Sequence, residues 1–278
     1  MLRYDRKGNS GSILVVPPAG TLDGLVLCGT PEEPKNLLLA SLSPETRQHI
    51  DRYFDRVALS PRQILAERNQ EISHAYFIES GVAALSVTAE GSGSVEVLTL
   101  GWRDFAGYPL ALGTRKSPHR CVMQMAGKAL RIRSDDLIEL MDRSEELRKV
   151  LLRHIQAMLI QSSQQIACHI KHDLKQRLPR WLLETSDKLC SEQVPATHAT
   201  AAYALGVRRA GITTAIAKLE QDGLIVHRRG SVTIVDRDGL ERVSCDCHRV
   251  VKQVRERCIA SSPLSVVKND GAAVYAEP

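Results

Sequence analysis

Closely spaced cysteine pairs of the Cys-x-x-Cys type are missing from this 278-residue chain, whose seven cysteines stand at 28, 121, 168, 190, 245, 247 and 258. An odd, scattered set excludes a disulfide framework and points to a reducing compartment. Long hydrophobic runs are missing too. The apolar stretch Ile13 to Val16 stops at Pro17-Pro18, too short for a signal peptide or a membrane span, so a cytoplasmic protein without a membrane partner is expected. There is no Gly-x-Ser-x-Gly, no His-Glu-x-x-His and no phosphate-cradling Gly-x-x-x-x-Gly-Lys, and no catalytic residue is assigned. Strong charge of one sign is lacking as well. A net charge of +5 makes an all-over polyelectrolyte grip on nucleic acid a poor reading and favours a localised patch. From Lys171 to Cys258 there are 16 Lys and Arg against 11 Asp and Glu, a surplus equal to that of the whole chain. The positive charge therefore sits in the C-terminal part.

What is present there is the punctuation of two helices joined by a tight turn, in THATAAYALGVRRAGITTAIAKLEQDGLI from Thr197 to Ile225. Thr197 can cap the first helix, Ala201, Ala202 and Leu205 share one side of it, and Gly206 supplies the left-handed residue that closes it. Val207, Ile212, Ile216 and Leu219 return near helical spacing to face the first helix. The opposite face of the second helix carries Arg208, Arg209, Ala210, Thr213, Thr214 and Ala217, short or cationic side chains with no acid among them. Such a face suits the major groove of double-stranded DNA, where arginine bonds guanine bidentately and threonine meets base edges or a thymine methyl. His227-Arg228-Arg229-Gly230 before the alternation Val232, Ile234 reads as a β-hairpin whose basic tip, Arg228 and Arg229, can reach phosphate. The bland alternative is an αα-hairpin with a solvated basic face.

The order RLPRWLL, then the helix pair, then RRGSVTIVDRDGLE and CDCH resembles the winged-helix domain of the Crp/Fnr superfamily of bacterial transcription regulators, with LGVRR, LEQDGLI and the RG wing in the family's order and spacing. The resemblance implies a homodimer reading an inverted repeat, with Arg209 and Thr214 at base-contacting positions and Arg208 and Thr213 contributing to bases or phosphates. It admits RNA polymerase as a further partner and a small-molecule effector of unknown identity. Ala210 departs from an acidic residue common in the family's best-known member, so that member's operator is not assumed.

The rest of the chain accommodates this reading as an α+β protein: an N-terminal antiparallel β-roll or jelly roll, a long dimerisation helix and a C-terminal winged helix-turn-helix. Residues 1–33 lack sustained periodicity and are expected to form a disordered arm. Ser43-Pro44 starts a helix with Ile50, Tyr53, Phe54 and Val57 on one face. Short alternating runs between Ala58 and Arg133 read as an antiparallel sandwich or roll, and its place ahead of the winged helix, with YFIESG, resembles the family's cyclic-nucleotide-binding β-roll, which the resemblance assigns to residues 34–143. Ser134-Asp135-Asp136 reads as a short helix's start and Ser144 as the cap of a long helix over 144–172. Leu151, Ile155, Met158, Leu159 and Ile166 are its expected dimer contacts, with a solvated connector as the alternative. The winged helix is assigned to 173–258, with a bend at Pro179, and a flexible tail to 259–278.

The family's nucleotide pocket uses glycine, glutamate and an arginine-serine or arginine-threonine pair to hold a cyclic phosphate and ribose. Here the matching stretch is GWRDFAGYPLALGTRKSPHRC: Phe105 and Gly107 fit, Tyr108-Pro109 replaces the glutamate, and Arg120 is an offset substitute. An unpaired buried ligand group costs about 1 to 3 kcal/mol, so cyclic AMP is not the expected signal, while a nucleotide-responsive regulator stands as the alternative. Cofactors and metals are not expected. The family's iron-sulfur branch needs several N-terminal cysteines where this chain has Cys28 alone, and a metal-dependent cupin needs clustered histidines where the roll has only His74 and His119. Cys168 and His172 fall one helical turn apart, but two ligands do not make a site, and Cys245-x-Cys247 reads as packing.

Overall fold

A computed structural model describes residues 35–89 and 93–260; the N-terminal arm, Cys28 and most of the assigned tail lie outside these residues. Asn36 opens the described chain as the cap of α1 (Leu37–Ala40), accepting from the Leu38 and Leu39 amides. Its side-chain amide donates to the Ile78 and Asp104 carbonyls at 2.8 Å each, so this fully buried group is satisfied on every side. Ser43 caps α2 (Pro44–Ile50) with proline at the helix start. A single 3-10 turn, Asp51–Tyr53, then releases the chain into β1 (Asp55–Leu59). Val57 thus lies in a strand. The three-to-four spacing that extended the helix to it is accidental, and pairing of β1 with a long strand decides the conformation.

The sheet is wholly antiparallel, with β2 (Ile64–Ala66), β3 (His74–Ala89), β4 (Gly93–Leu100), β5 (Phe105–Ala106) and β6 (Arg120–Arg133) following β1. Its spine is the β3–β6 pair. β1 and β2 line successive stretches of β6, while β4 and β5 line successive stretches of β3, giving the order β1-β6-β3-β4 with the two short strands off that path. The spine's register slips between Ile78 and Ala83. At that point Gly81 has φ +82°, and a Cβ on Gly127 would collide with the Ser80 carbonyl. Such a bulge bends two long strands without breaking them. All three phenylalanines of the chain meet: the buried Phe77 stacks on the buried Phe105 at 5.2 Å, and the partly buried Phe54 stands edge-on to Phe77 at 5.4 Å.

Between β5 and β6 lies the one-turn helix α3 (Tyr108–Ala111); after β6 come α4 (Ser134–Arg143) and α5 (Glu145–Lys171). Ser134 starts α4 as the sequence indicates, and as its first, buried helical residue it donates its hydroxyl to the Ile72 carbonyl, tying the helix to the roll. Ser144 does cap α5, accepting from the Leu147 amide. With 27 residues at about 1.5 Å each, α5 runs roughly 40 Å. Its first half buries Leu147, Val150, Leu151, Ile155 and Met158, all but Ile155 within the two apolar clusters of the roll.

The C-terminal part begins with α6 (Leu174–Leu189), which continues through Pro179, followed by β7 (Gln193–Val194), α7 (His198–Leu205), α8 (Arg209–Gln221), β8 (Ile225–Arg228) and β9 (Ser231–Ile234). Leu178, Trp181 and Leu182 of α6, Leu205 of α7, Ile212 and Ile216 of α8, and Val232 and Ile234 of β9 share one core. Two helices end the described chain, α9 (Arg237–Val243) and α10 (Cys247–Ala260). α10 folds back along α5. Arg255 on it reaches the fully buried Asp104 at 3.0 Å and the Gln161 side chain at 2.6 Å.

Candidate nucleic-acid interface and effector site

The helix-turn-helix forms where the sequence indicates. Thr197 accepts from the Thr200 amide at 3.0 Å, and Gly206 ends α7 with φ +63°. α8 follows after Arg208, its N-cap. Ile212, Ala215, Ile216 and Leu219 are buried, which by helical geometry turns the remaining positions outward. Arg208, Arg209, Ala210, Thr213 and Thr214 are all exposed, as is Thr197. Thr213 and Thr214 hydroxyls return to the Arg209 and Ala210 carbonyls at 3.1 and 3.2 Å, and Thr213 also meets His198 Nδ1 at 3.0 Å. β8 and β9 form the wing, with Arg229-Gly230 as a two-residue turn and Gly230 at φ +83°. Arg228 and Arg229 at this tip are exposed. His227 stacks on His198 at 4.8 Å, so wing and α7 are held against each other beside the exposed face of α8.

The stretch corresponding to a nucleotide pocket is built differently from the family pattern. Phe105 is fully buried in the roll's aromatic stack, and Gly107 at φ +123° turns the chain into α3. A Cβ at Gly107 would come within 2.8 Å of the Ala75 Cβ, so only glycine fits the turn. Tyr108 is partly buried between the roll's two apolar clusters, and its hydroxyl meets His119 Nδ1 at 2.7 Å. Burial raises the Tyr108 pKa, and burial together with nearby Arg68 lowers that of His119, so both are neutral near pH 7. The Arg120 guanidinium turns to Glu67 at 3.1 Å. Of the four expected pocket residues, Phe105 belongs to the roll's core, Gly107 makes the turn, Tyr108 bonds His119 and Arg120 pairs with Glu67. Tyr108 fills space, and Arg120 has a carboxylate of its own.

The expected dimer contacts divide into two groups. Leu151, Ile155 and Met158 are buried in their own chain, Leu151 in the cluster beneath α1 and α4 and Met158 against the sheet; their side chains are already used by the fold. Leu159 and Ile166 are 65% and 63% exposed, and they are joined by Leu152 and Ile170 at 42% and 73%. Residues 152, 159 and 166 recur every seven positions and Ile170 follows four later, the spacing of a coiled-coil seam. The heptad was present in the sequence; the broader apolar stripe obscured which of its edges faces outward.

Where the two halves meet, α6 packs on the roll. Trp102 Nε1 donates to the Asp187 carbonyl at 2.9 Å, Lys188 Nζ reaches the Thr99 hydroxyl, and Gly101 lies so close to Lys188 that a Cβ there would clash with it. Glu96 on β4 is buried beside Gln124 and within electrostatic reach of Lys188; burial pushes its pKa up to about 7. His154 is also buried, against Asp104 at 3.7 Å, and burial lowers its pKa to about 4. Sequence reasoning missed these groups, because their neighbours come from strands and helices far apart in the chain.

An antiparallel roll, a long helix with an outward apolar seam, and a winged helix-turn-helix with an exposed basic face define a DNA-binding regulator with a sensor-type domain. Residues 56–144 match the family model of the cyclic nucleotide-binding domain, and residues 176–243 match that of the Crp-like helix-turn-helix domain. With both in this order the chain belongs to the Crp/Fnr family and is a transcription regulator of that type. Solved structures share the fold at low identity. A Crp/Fnr-family regulator from Eubacterium rectale is 18% identical, with 76% of this chain and 99% of that one covered and a TM-score of 0.58. FixK2 from Bradyrhizobium japonicum is 10% identical over 69% and 98% of the chains at 0.61. The c-di-GMP-responsive regulator CLP of Xanthomonas campestris is 15% identical over 69% and 99% at 0.57. A search of curated proteins gave no match. Among the described residues no helix is long and apolar enough to cross a membrane.

Proposed function

We propose that the protein acts as a cytoplasmic, non-enzymatic homodimer that reads an inverted DNA repeat through α8 and takes its signal from something other than cyclic AMP. The observation that carries the DNA reading is the exposed, acid-free face of Arg208, Arg209, Ala210, Thr213 and Thr214 on a helix whose other face is core. Arg209 and Thr214 set base preference, Arg208, Thr213 and Thr197 support them, and Arg228 and Arg229 grip phosphate without reading sequence. The seam Leu152, Leu159, Ile166 and Ile170 joins two copies, replacing the buried Leu151, Ile155 and Met158 in that role. Two heads related by a two-fold axis then meet half-sites about 34 Å apart. RNA polymerase is the partner such a bound dimer would meet at a promoter. The effector reading rests on Tyr108 and Arg120: a ribose hydroxyl finds no carboxylate at Tyr108, and a cyclic phosphate finds Arg120 engaged by Glu67. Selection of binding sites from a random duplex pool tests the first part, with an inverted repeat expected and a sequence-indifferent outcome refuting it. Calorimetry with cyclic AMP tests the second.

A further inference from the structure

Two pairs of residues that are remote in sequence converge beneath the α5–α6 link. Cys168 lies in the last turn of α5, His172 is the C-cap of that helix, and Cys245 and Cys247 flank the entry to α10. One ligand atom from each of the four lies within 4.8 Å of every other. The Cys168 and Cys245 sulfurs are 3.5 Å apart, and Cys247 Sγ is 3.5 Å from His172 Nδ1. A tetrahedral zinc ion with Zn–S near 2.3 Å and Zn–N near 2.0 Å needs ligand separations of about 3.5 to 3.8 Å, so both measured edges already fit and the widest must close by about 1 Å. We propose that Cys168, His172, Cys245 and Cys247 form a zinc site of the Cys3His type.

Three further features favour an ion over a packed thiol cluster. The three cysteines are almost completely buried and His172 only partly, the enclosure of a structural site with all four positions taken by protein. Gln164 Nε2 points its N–H at Cys247 Sγ, at 3.1 Å, an outer-shell contact that stabilises a thiolate far better than a thiol. Zinc with three thiolates and a neutral imidazole carries one net negative charge, and the guanidiniums of Arg177 and Arg180 lie within electrostatic reach of Cys168 and Cys245. A disulfide does not describe the pair, since 3.5 Å is far outside the roughly 2.05 Å of an S–S bond. Nor does an iron-sulfur cluster, whose ligands stand around a cage several ångströms wide, whereas these four atoms face one point.

The position gives the ion a task. It ties the end of α5 and the link into α6 to the segment that starts α10, the three pieces that set how the winged helix sits on the long helix. Arg177, one turn into α6, donates to the Leu205 carbonyl at the end of α7, so the clamped link is joined directly to the helix-turn-helix.

The full chain, purified without chelator, is expected to hold one zinc per protomer by elemental analysis. Co2+ added in place of zinc is expected to give the intense visible bands of tetrahedral cobalt with a near-ultraviolet thiolate charge-transfer band. Cys245→Ser and Cys247→Ser should each weaken zinc retention against a competing chelator at least tenfold, while Cys190→Ser leaves it unchanged. Should those variants fail to fold, alkylation of wild type is read residue by residue: zinc should protect Cys168, Cys245 and Cys247 and leave Cys258 reactive. The proposal is overturned by a protomer that takes up neither zinc nor tetrahedral cobalt, by iron with sulfide at the site, by a Cys168–Cys245 disulfide, or by equal alkylation with and without zinc.

Discussion

The helix-turn-helix and the segment from Gly101 to Cys121 are both family hallmarks, yet this chain treats them in opposite ways. In α7 and α8 every expected device is in place: Thr197 as cap, Gly206 as the left-handed turn, one apolar face buried and one basic face exposed. In the roll the backbone frame survives, with Gly107 turning into α3, but the chemistry is replaced by a tyrosine–histidine contact and a diverted arginine. On the proposed function, the contrast is that of a scaffold keeping its output element while its input site changes. A reading head must present the same groove-shaped face to DNA, whereas a sensor pocket is free to be filled.

Separating the two heads should have the largest effect. Leu159→Glu with Ile166→Glu puts carboxylates into the proposed seam; losing that apolar burial and facing like charges should cost on the order of 3 kcal/mol or more, raising the dimer dissociation constant at least a hundredfold. Because both residues are exposed in the single chain, folding should be retained. Sedimentation checks this: wild type monomeric at micromolar concentration, or a variant that stays dimeric, would remove the seam.

Next in size is a test of the joint between the regions. Glu96, with its folded pKa raised to about 7 from an ordinary value near 4.5, binds its proton more tightly when folded. Its contribution to stability is therefore full below pH 4.5 and is lost as pH rises to 7, by about 3 kcal/mol at most. His154 runs the other way: with its pKa lowered to about 4, the stability it confers is lost as pH falls from about 6.5 to 4. The difference between wild type and Glu96→Gln isolates the first effect. Urea unfolding should show the stability difference moving in favour of Glu96→Gln as pH rises from 4.5 to 7. A constant difference would mean that Glu96 is not held protonated by burial.

A smaller effect separates grip from reading. Arg228→Ala and Arg229→Ala should weaken all duplexes alike and reduce the slope of log affinity against log salt by about one per lost phosphate contact. A change in the selected sequence would instead move the wing into a base-reading role. The smallest expected signal is none: titration of wild type with cyclic AMP should give no saturable heat, and a micromolar dissociation constant would erase the contrast between input and output sites.

How much of this was legible in the sequence follows the range of the interactions. Ser43, Ser144, Thr197 and Gly206 announce helix ends because a cap is settled within three or four residues. Val57 misleads because its periodicity suits a helix while cross-strand pairing with Ala129 makes it a strand. Leu151, Ile155 and Met158 share one broad apolar stripe with Leu159 and Ile166, and the sequence does not say which edge of it the fold covers. In the sequence the cysteine-histidine cluster is only two incomplete pairs, because a separation of 77 residues between Cys168 and Cys245 leaves no spacing rule to join them.

Arg209, exposed at the start of α8, is the residue on which DNA reading by this face should depend most. Sites are selected from a random duplex pool with wild type and with Arg209→Ala, and affinities for the wild-type site are then compared. The variant is expected to bind more weakly by about 1 to 3 kcal/mol per half-site and to lose discrimination at one base pair in each half. An unchanged consensus with unchanged affinity would contradict the assignment of this face to the major groove.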